Sequence, residues 1–335
     1  MKHLNNNVLG HLRNVVEEPD LAGTKYSIVR KLAAGGMGTV YLAEDSELRR
    51  NVALKVMNTS LESPEIARRT MQEALFIAQL EHPGIVPIHD VGTLPDGRIF
   101  YVMKYVEGKR LDEVVKSGVA QQDLLRLFQK ICDALAFTHS RGVIHRDLKP
   151  ENIMAGNFGE VLIMDWGTAK RISSDEPEVS METSHRPGKP NQTMVGTVIG
   201  TPGYMAPEQQ RGTTGVHDMR TDVYALGGIL YYMLTGNPPE EQGSVTSPRE
   251  KNKTVTKSLN AVCLKALAAD PVERYASVTE MLADINGCIS GTQVIAYKES
   301  IVEKGGRWLS KNQAIIWMII TYLVVRVLIL IYLKR

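Results

Sequence analysis

A two-lobed α+β fold, strands first and helices after with a cleft between, followed by a membrane-spanning helix, is what this sequence predicts. Three observations carry the prediction. From Tyr26 the chain alternates and is rich in β-branched residues, whereas past residue 120 apolar residues recur at helical spacing, at 124, 127, 128, 131, 135 and 137. A charged loop, His145 Arg146 Asp147 Leu148 Lys149 Pro150 Glu151 Asn152, is followed at the reach of a β-hairpin by Asp165 Trp166 Gly167. Residues Ala314 to Leu333 then run for twenty positions with Arg326 as their only charge.

Composition sets wide bounds. A chain of 335 residues with 43 % hydrophobic content can bury a sizeable core, and its length allows two lobes plus an appendage. A net charge of +2 gives no reason to expect nucleic acid as a partner. Cys132, Cys263 and Cys288 are far apart and odd in number, which argues against a disulfide framework or a zinc site and for a reducing compartment. Residues 1 to 20 hold no apolar run, so no signal peptide is expected there.

Taken in order, residues 1–25 form an extension, and the first strands follow. Leu32 Ala33 Ala34 Gly35 Gly36 Met37 Gly38 Thr39 Val40 reads as a glycine-rich turn between two strands, whose backbone N–H groups suit phosphate oxygens. By itself that turn is also an ordinary hairpin. Val52 Ala53 Leu54 Lys55 is an apolar strand carrying a cation, and a charge there needs a partner unless it sits at a solvated edge. A helix is predicted from the start signal Ser63 Pro64 Glu65 to the stop His82 Pro83 Gly84, with Ile66, Met71, Ala74, Leu75 and Ala78 as its apolar stripe and Glu73 beside it. Glu73 could equally bridge Arg69 on the helix surface. Residues 99–108 read as a further strand, and Asp123 to Ser140 as a long helix leading into the charged loop.

That loop holds what phosphoryl transfer needs. Asp147 can accept a hydroxyl proton, Asn152 and Asp165 can hold Mg²⁺ through oxygen, and Lys149 can reach the transferred phosphate. The turn at Gly35, Gly38 and Val40, then VALK, HRDLKPEN and DWG, resemble in type and in order the motifs of protein kinases over about residues 26–290. The wording GGMGTVYLAE and IGTPGYMAPEQ is similar to bacterial eukaryotic-like (Hanks-type) serine/threonine kinases. Three residues depart from the family pattern: Ala33 stands at the usual first glycine, Trp166 at the usual phenylalanine, and Lys104 at a common glutamate.

The resemblance implies an N-lobe at 26–103, a C-lobe at 107–290, and use of ATP with Mg²⁺, or Mn²⁺ in its place, on protein substrates. It implies that residues 32–40 cover the phosphates, that Lys55 grips them and pairs with Glu73, that Met103 is the gatekeeper, and that the backbone to Val106 meets adenine. His145, Arg146 and Asp222 shape the catalytic loop, and Glu208 pairs with Arg274. Lys149 read with Thr201 implies serine or threonine as acceptor. Arg146 implies control by phosphorylation of the Ser-, Thr- and Pro-rich stretch around 171–192, with Thr193 and Thr197 as acceptor sites. That stretch can contribute little core and reads as mobile. A polar run from Gly236 to Ser258 predicts that the helix usual there is short or absent.

Residues 291–313 read as a juxtamembrane linker, 314–333 as the span and 334–335 as a tail. Twenty residues cross a bilayer core at about 1.5 Å each. Thirteen Ile, Leu and Val residues at roughly −0.3 to −0.6 kcal/mol outweigh one arginine at about +3.5 kcal/mol or less. Lys304, Arg307 and Lys311 precede the span, which predicts an inner-membrane protein with its kinase unit in the cytoplasm. With only Lys334 and Arg335 after the span, a signal is expected to enter through a partner, through lipid, or through homodimerisation of the helix.

Overall fold

Five antiparallel strands make the first lobe. β1 (Tyr26–Gly35), β2 (Gly38–Asp45), β3 (Arg50–Met57), β4 (Ile88–Thr93) and β5 (Ile99–Lys104) form one sheet in the order β1-β2-β3-β5-β4. The computed structural model describes residues 18–35, 38–57, 71, 75, 78–166, 169–171, 203–211, 218–240, 245–301, 303–305, 308 and 312–333. Strand periodicity explains how β3 serves two purposes. Val52, Leu54 and Val56 enter one apolar cluster with Tyr41 and Phe100, so the alternate residues Ala53 and Lys55 face the other side of the sheet, toward the second lobe. Of the helix predicted between Ser63 and His82, residues 71, 75 and 78 are helical, and Glu73 lies outside the described residues.

The second lobe is mainly helical: α1 (Leu111–Lys116), α2 (Gln121–Ser140), α3 (Pro207–Gln210), α4 (Met219–Thr235), α5 (Pro248–Lys251), α6 (Lys257–Ala266) and α7 (Val278–Ser290). α4 is its axis. Every residue from Thr221 to Leu234 is buried, the pattern of a helix surrounded by protein. The Asp218 side chain accepts from Arg220 N to start it, and Gly236, at φ 75°, ends it in the left-handed conformation that glycine adopts without strain. A Cβ on Gly227 would stand 2.9 Å from the Ala266 Cβ, so the close crossing of α4 and α6 requires glycine there. Between Gly236 and Thr256 only the four-residue α5 forms among the described residues, and α6 begins at Lys257.

Short strands position the charged loop. β8 (Ile153–Gly156) and β9 (Val161–Ile163) pair antiparallel, with β6 (Gly108–Arg110) on the outer edge of β8. β7 (Val143–Ile144) pairs with β10 (Lys170–Arg171). The β8–β9 hairpin brings residues 145–152 and Asp165 to one place.

The stretch after α7 folds back on the helical lobe. Asp284, 2 % exposed, accepts from Ile295 N at 2.6 Å, from Ala296 N at 2.9 Å and from the Tyr275 hydroxyl at 2.9 Å. Val294 is buried against Gly287. Ser300 and Glu303 then form a reciprocal helix cap, Ser300 N donating to Glu303 Oε2 at 2.9 Å and Glu303 N to Ser300 Oγ at 3.3 Å. Glu303 also takes Lys257 Nζ at 2.6 Å and the Tyr297 hydroxyl at 3.0 Å. Beyond it lies α8 (Gln313–Leu333), of which Ile315–Leu333 is long and apolar enough to cross a membrane and has no buried residue.

Replacing Asp284 by alanine leaves three donors without their acceptor and should cost about 3 kcal/mol, read as a lowered urea midpoint of the full chain. Glu303 adds a pH dependence. Hydrogen bonding from Lys257, then from Ser300 N, lowers its carboxyl from the ordinary 4.5 to about 2. A depressed folded value means that the contact contributes fully above pH 4.5 and is lost as pH falls toward 2. The Ser300 amide resonance should therefore titrate in that window, and Glu303→Gln should abolish the titration.

Candidate active site

At the start of α4, Asp222 is wholly buried and accepts three hydrogen bonds. Its Oδ2 receives His145 N at 2.8 Å and lies 2.8 Å from His139 Nε2, while Oδ1 receives Arg146 N at 2.9 Å. Burial alone would raise this carboxyl; the hydrogen bond and charge of His139 and the donated N–H of His145 outweigh it and hold the pKa below the ordinary aspartate value. The two consecutive N–H groups converge on one carboxylate because Arg146 adopts φ 70°, a strained position for a residue with a side chain. Arg146 O is in turn held by Gln209 Nε2 at 2.9 Å.

The next residue, Asp147, gathers the polar groups of the loop. Lys149 Nζ lies 3.0 and 3.3 Å from its two carboxylate oxygens, and Asn152 Nδ2 donates to its backbone oxygen at 2.8 Å and to Oδ2 at 3.3 Å. With its amide nitrogen engaged, Asn152 has its side-chain oxygen left for a cation. Asn152 O accepts from Met164 N at 2.7 Å, which ties the loop to the residue before Asp165. His145 makes a second tie: its Nε2 lies 3.1 Å from Met164 O, and its ring packs on Trp166 at 4.6 Å. Trp166 is 4 % exposed, donates from Nε1 to Ile163 O, and has His145 as its ring partner. Asp165 follows with φ 51°, a second strained residue.

From the first lobe, Lys55 reaches across to this group. It is 5 % exposed, lies 2.5 Å from Asp165 Oδ1 and stands 5.7 Å from the centre of the Tyr101 ring. Burial pulls its pKa down, but the Tyr101 hydroxyl and the Asp165 carboxylate outweigh that, so the ammonium form is favoured. Asp165 is the partner found for the buried cation among the described residues.

The strands on either side of the glycine-rich turn pair antiparallel. Ala33 pairs with Val40, Ala34 with Thr39 and Gly35 with Gly38, with Leu32 just before; Gly36 and Met37 lie outside the described residues. A Cβ on Gly38 would stand 2.4 Å from Val56 O, so β3 itself demands glycine there. Ala33 is exposed at the strand end. Met103 is buried opposite Ala53, and Val106 is buried just past β5, which ends at Lys104 rather than running to residue 108.

Glu208 and Arg274 form a forked pair at 2.7 and 2.8 Å, with the guanidinium also donating to Ala268 O, Ala269 O and Arg220 O. Burial would raise Glu208; Arg274 outweighs it and lowers the carboxyl. Thr193, Thr197 and Thr201 lie outside the described residues. Among the described residues no three His, Cys, Asp or Glu side chains converge on a metal position. Asp165 and Asn152 offer two hard side-chain oxygens, donors that would suit a divalent cation such as Mg²⁺.

The model for the protein kinase domain matches residues 26–289. The chain belongs to the protein kinase family. It is 40 % identical over 295 residues to the serine/threonine-protein kinase PknD of Chlamydia caviae, covering 80 % of this chain and 31 % of that one. PknD of Protochlamydia amoebophila is 36 % identical, covering 79 % and 30 %. The chain thus spans about a third of the length of these curated relatives. Among solved structures, the kinase domain of Mycobacterium tuberculosis PknI superposes with a TM-score of 0.59 at 27 % identity, covering 78 % of this chain and 95 % of that one.

Two residues of the kinase site carried no motif signal. His139 shows only as the next helical turn after Leu135, and Gln209 as one of two glutamines after Glu208. The Asp222 cluster makes a specific expectation. Asp222→Ala should speed amide exchange at His145 and Arg146 by about a hundredfold, since each loses a charge-assisted bond of roughly 1.5–3 kcal/mol, and Asp222→Asn should fall between.

Proposed function

We propose that this chain is an ATP- and Mg²⁺-dependent serine/threonine protein kinase, held in the membrane by α8 with its catalytic domain on the cytoplasmic side. The observation that carries the reading is the convergence of Lys55, Asp147, Lys149, Asn152 and Asp165 from two lobes. Kinship with chains named serine/threonine-protein kinases supports the acceptor type. α8 supports the anchor.

In this reading Asp147 accepts the proton of the substrate hydroxyl, and Lys149, already beside it, stabilises negative charge that develops on the phosphoryl oxygens. Lys55 would hold the phosphates of ATP, and Asp165 and Asn152 would hold Mg²⁺, whose positive charge would offset that of the phosphate oxygens. The apolar walls from Val40, Ala53, Met103 and Val106 receive the base. Arg146 and the acceptors Thr193 and Thr197 make autophosphorylation of the intervening segment the regulatory step.

The full chain, incubated with ATP and Mg²⁺ and mapped by mass spectrometry, should carry phosphate on serine or threonine, Thr193 and Thr197 included. Asp147→Ala should lower transfer by about 10² to 10⁴ and Lys55→Met comparably. Transfer by the native chain no greater than by Asp147→Ala would leave a nucleotide-binding scaffold as the better reading. Phosphate confined to tyrosine would overturn the acceptor assignment.

A further inference from the structure

Large apolar side chains are unevenly spread over the surface. Outside α8, nine are exposed among the described residues, and four of these, Ile289, Ile295, Ile301 and Trp308, fall within residues 289–308. Ile295, Ile301 and Trp308 are 74 %, 89 % and 60 % exposed. Clustered exposure of this kind marks a surface that something apolar covers.

The mount beneath them is firm. Ile295 projects outward from a backbone that Asp284 holds at Ile295 N and Ala296 N. Ile301 opens the helical turn whose opposite side, Glu303, is fastened to Lys257 and Tyr297. At helical spacing Ile301, Lys304 and Trp308 share one side and Glu303 takes the other. Lys298 and Lys304 are exposed, and Arg307 and Lys311 follow in sequence. Over residues 295–311 four basic and two acidic residues leave a net charge of +2, with Glu303 already paired to Lys257.

An apolar phase lies within reach of this surface. Trp308 precedes the first residue of α8 by five positions, about 7 Å along a helix. Ile301 would stand roughly 18 Å from α8 if the helix were straight, but Gly305 and Gly306 interrupt the sequence between them, and adjacent small residues are where helices bend. Apolar side chains with a Trp among them and basic residues alongside suit the headgroup boundary of an anionic bilayer.

Resting on the membrane anchor proposed above, we infer that Ile295, Ile301 and Trp308 form a lipid-docking surface: they enter the headgroup boundary, and the Asp284 and Glu303 contacts draw the base of the catalytic domain onto the bilayer. The kinase is then held at a fixed face to the membrane, not on a free tether.

Nitroxide labels on the full chain in vesicles containing phosphatidylglycerol test this. Cys132 and Cys263 are buried, so Cys288→Ser provides the background. Labels go at Ile295→Cys and Ile301→Cys, with Ile320→Cys in α8 and Leu48→Cys on the first lobe as references. Labels at 295 and 301 should collide with oxygen severalfold more, relative to a water-soluble nickel chelate, than the label at 48, and lose that excess when phosphatidylcholine replaces phosphatidylglycerol. Aqueous readings at 295 and 301 beside a lipid reading at 320 would overturn the docking surface and leave the anchor standing. An aqueous reading at 320 would remove the anchor and the docking with it. Protection from both reagents that disappears on dilution among vesicles would mean that a second copy, not lipid, covers the surface.

Discussion

A single buried carboxylate, Asp222, decides the shape of the catalytic loop. It receives both N–H groups of His145 and Arg146 and lies against His139, and no part of it is exposed. Pointing two successive amides at one acceptor forces Arg146 to φ 70°, a conformation that costs on the order of 1–3 kcal/mol for a residue with a side chain. The two hydrogen bonds to a charged acceptor contribute about 1.5–3 kcal/mol each, so the strained loop is the stable one. Because α4 is buried all round, the carboxylate cannot follow the loop if it moves. The reversal at Arg146 delivers Asp147 to Lys149 and Asn152.

The second half of the site hangs from the first. His145 meets Met164 O through its ring and Trp166 through its face, and Asn152 O holds Met164 N. Asp165, between the residues so held, is itself at φ 51° and presents its carboxylate to Lys55. Lys55 is a nearly buried cation in an apolar strand, which is costly without a partner. The ion pair thus links the lobes by necessity: the sheet supplies a charge that only the helical lobe neutralises among the described residues.

What could be read from sequence follows from how each residue acts. Asp147, Lys149, Asn152 and Asp165 were legible because their chemistry requires particular types at short, contiguous spacing. The strand around Lys55 and the helix of residues 121–140 were legible from periodicity. His139 and Gln209 act across tertiary contacts, on a carboxylate 83 residues away and a backbone oxygen 63 residues away, and no local pattern marks them. Gly38 was legible as a phosphate-loop glycine, yet the close approach of Val56 O, visible only in the folded sheet, also demands it. Residues 291–313 read as linker, and the fold-back at 295 and 296 went unseen because Asp284 binds main-chain N–H groups, which any sequence offers. Ser300 and Glu303, at capping-box spacing, were the one signal that the stretch would turn helical.

The catalytic loop and the chain that leads to α8 share one foundation. Asp222 belongs to α4, α4 crosses α6 closely at Gly227, and Lys257 at the start of α6 holds Glu303. Asp284, on α7, fixes residues 295 and 296 to the same lobe. The sheet meets this foundation through the Lys55–Asp165 pair, through Ala53 and Met103 in the apolar cluster of the helical lobe, and through the connection beyond β5. With α8 in a bilayer, the helical lobe is the one joined directly to the membrane helix, and the sheet is held through it. Any force arriving along the membrane helix would act first on the lobe carrying Asp147, through the ion pair of Glu303 and Lys257.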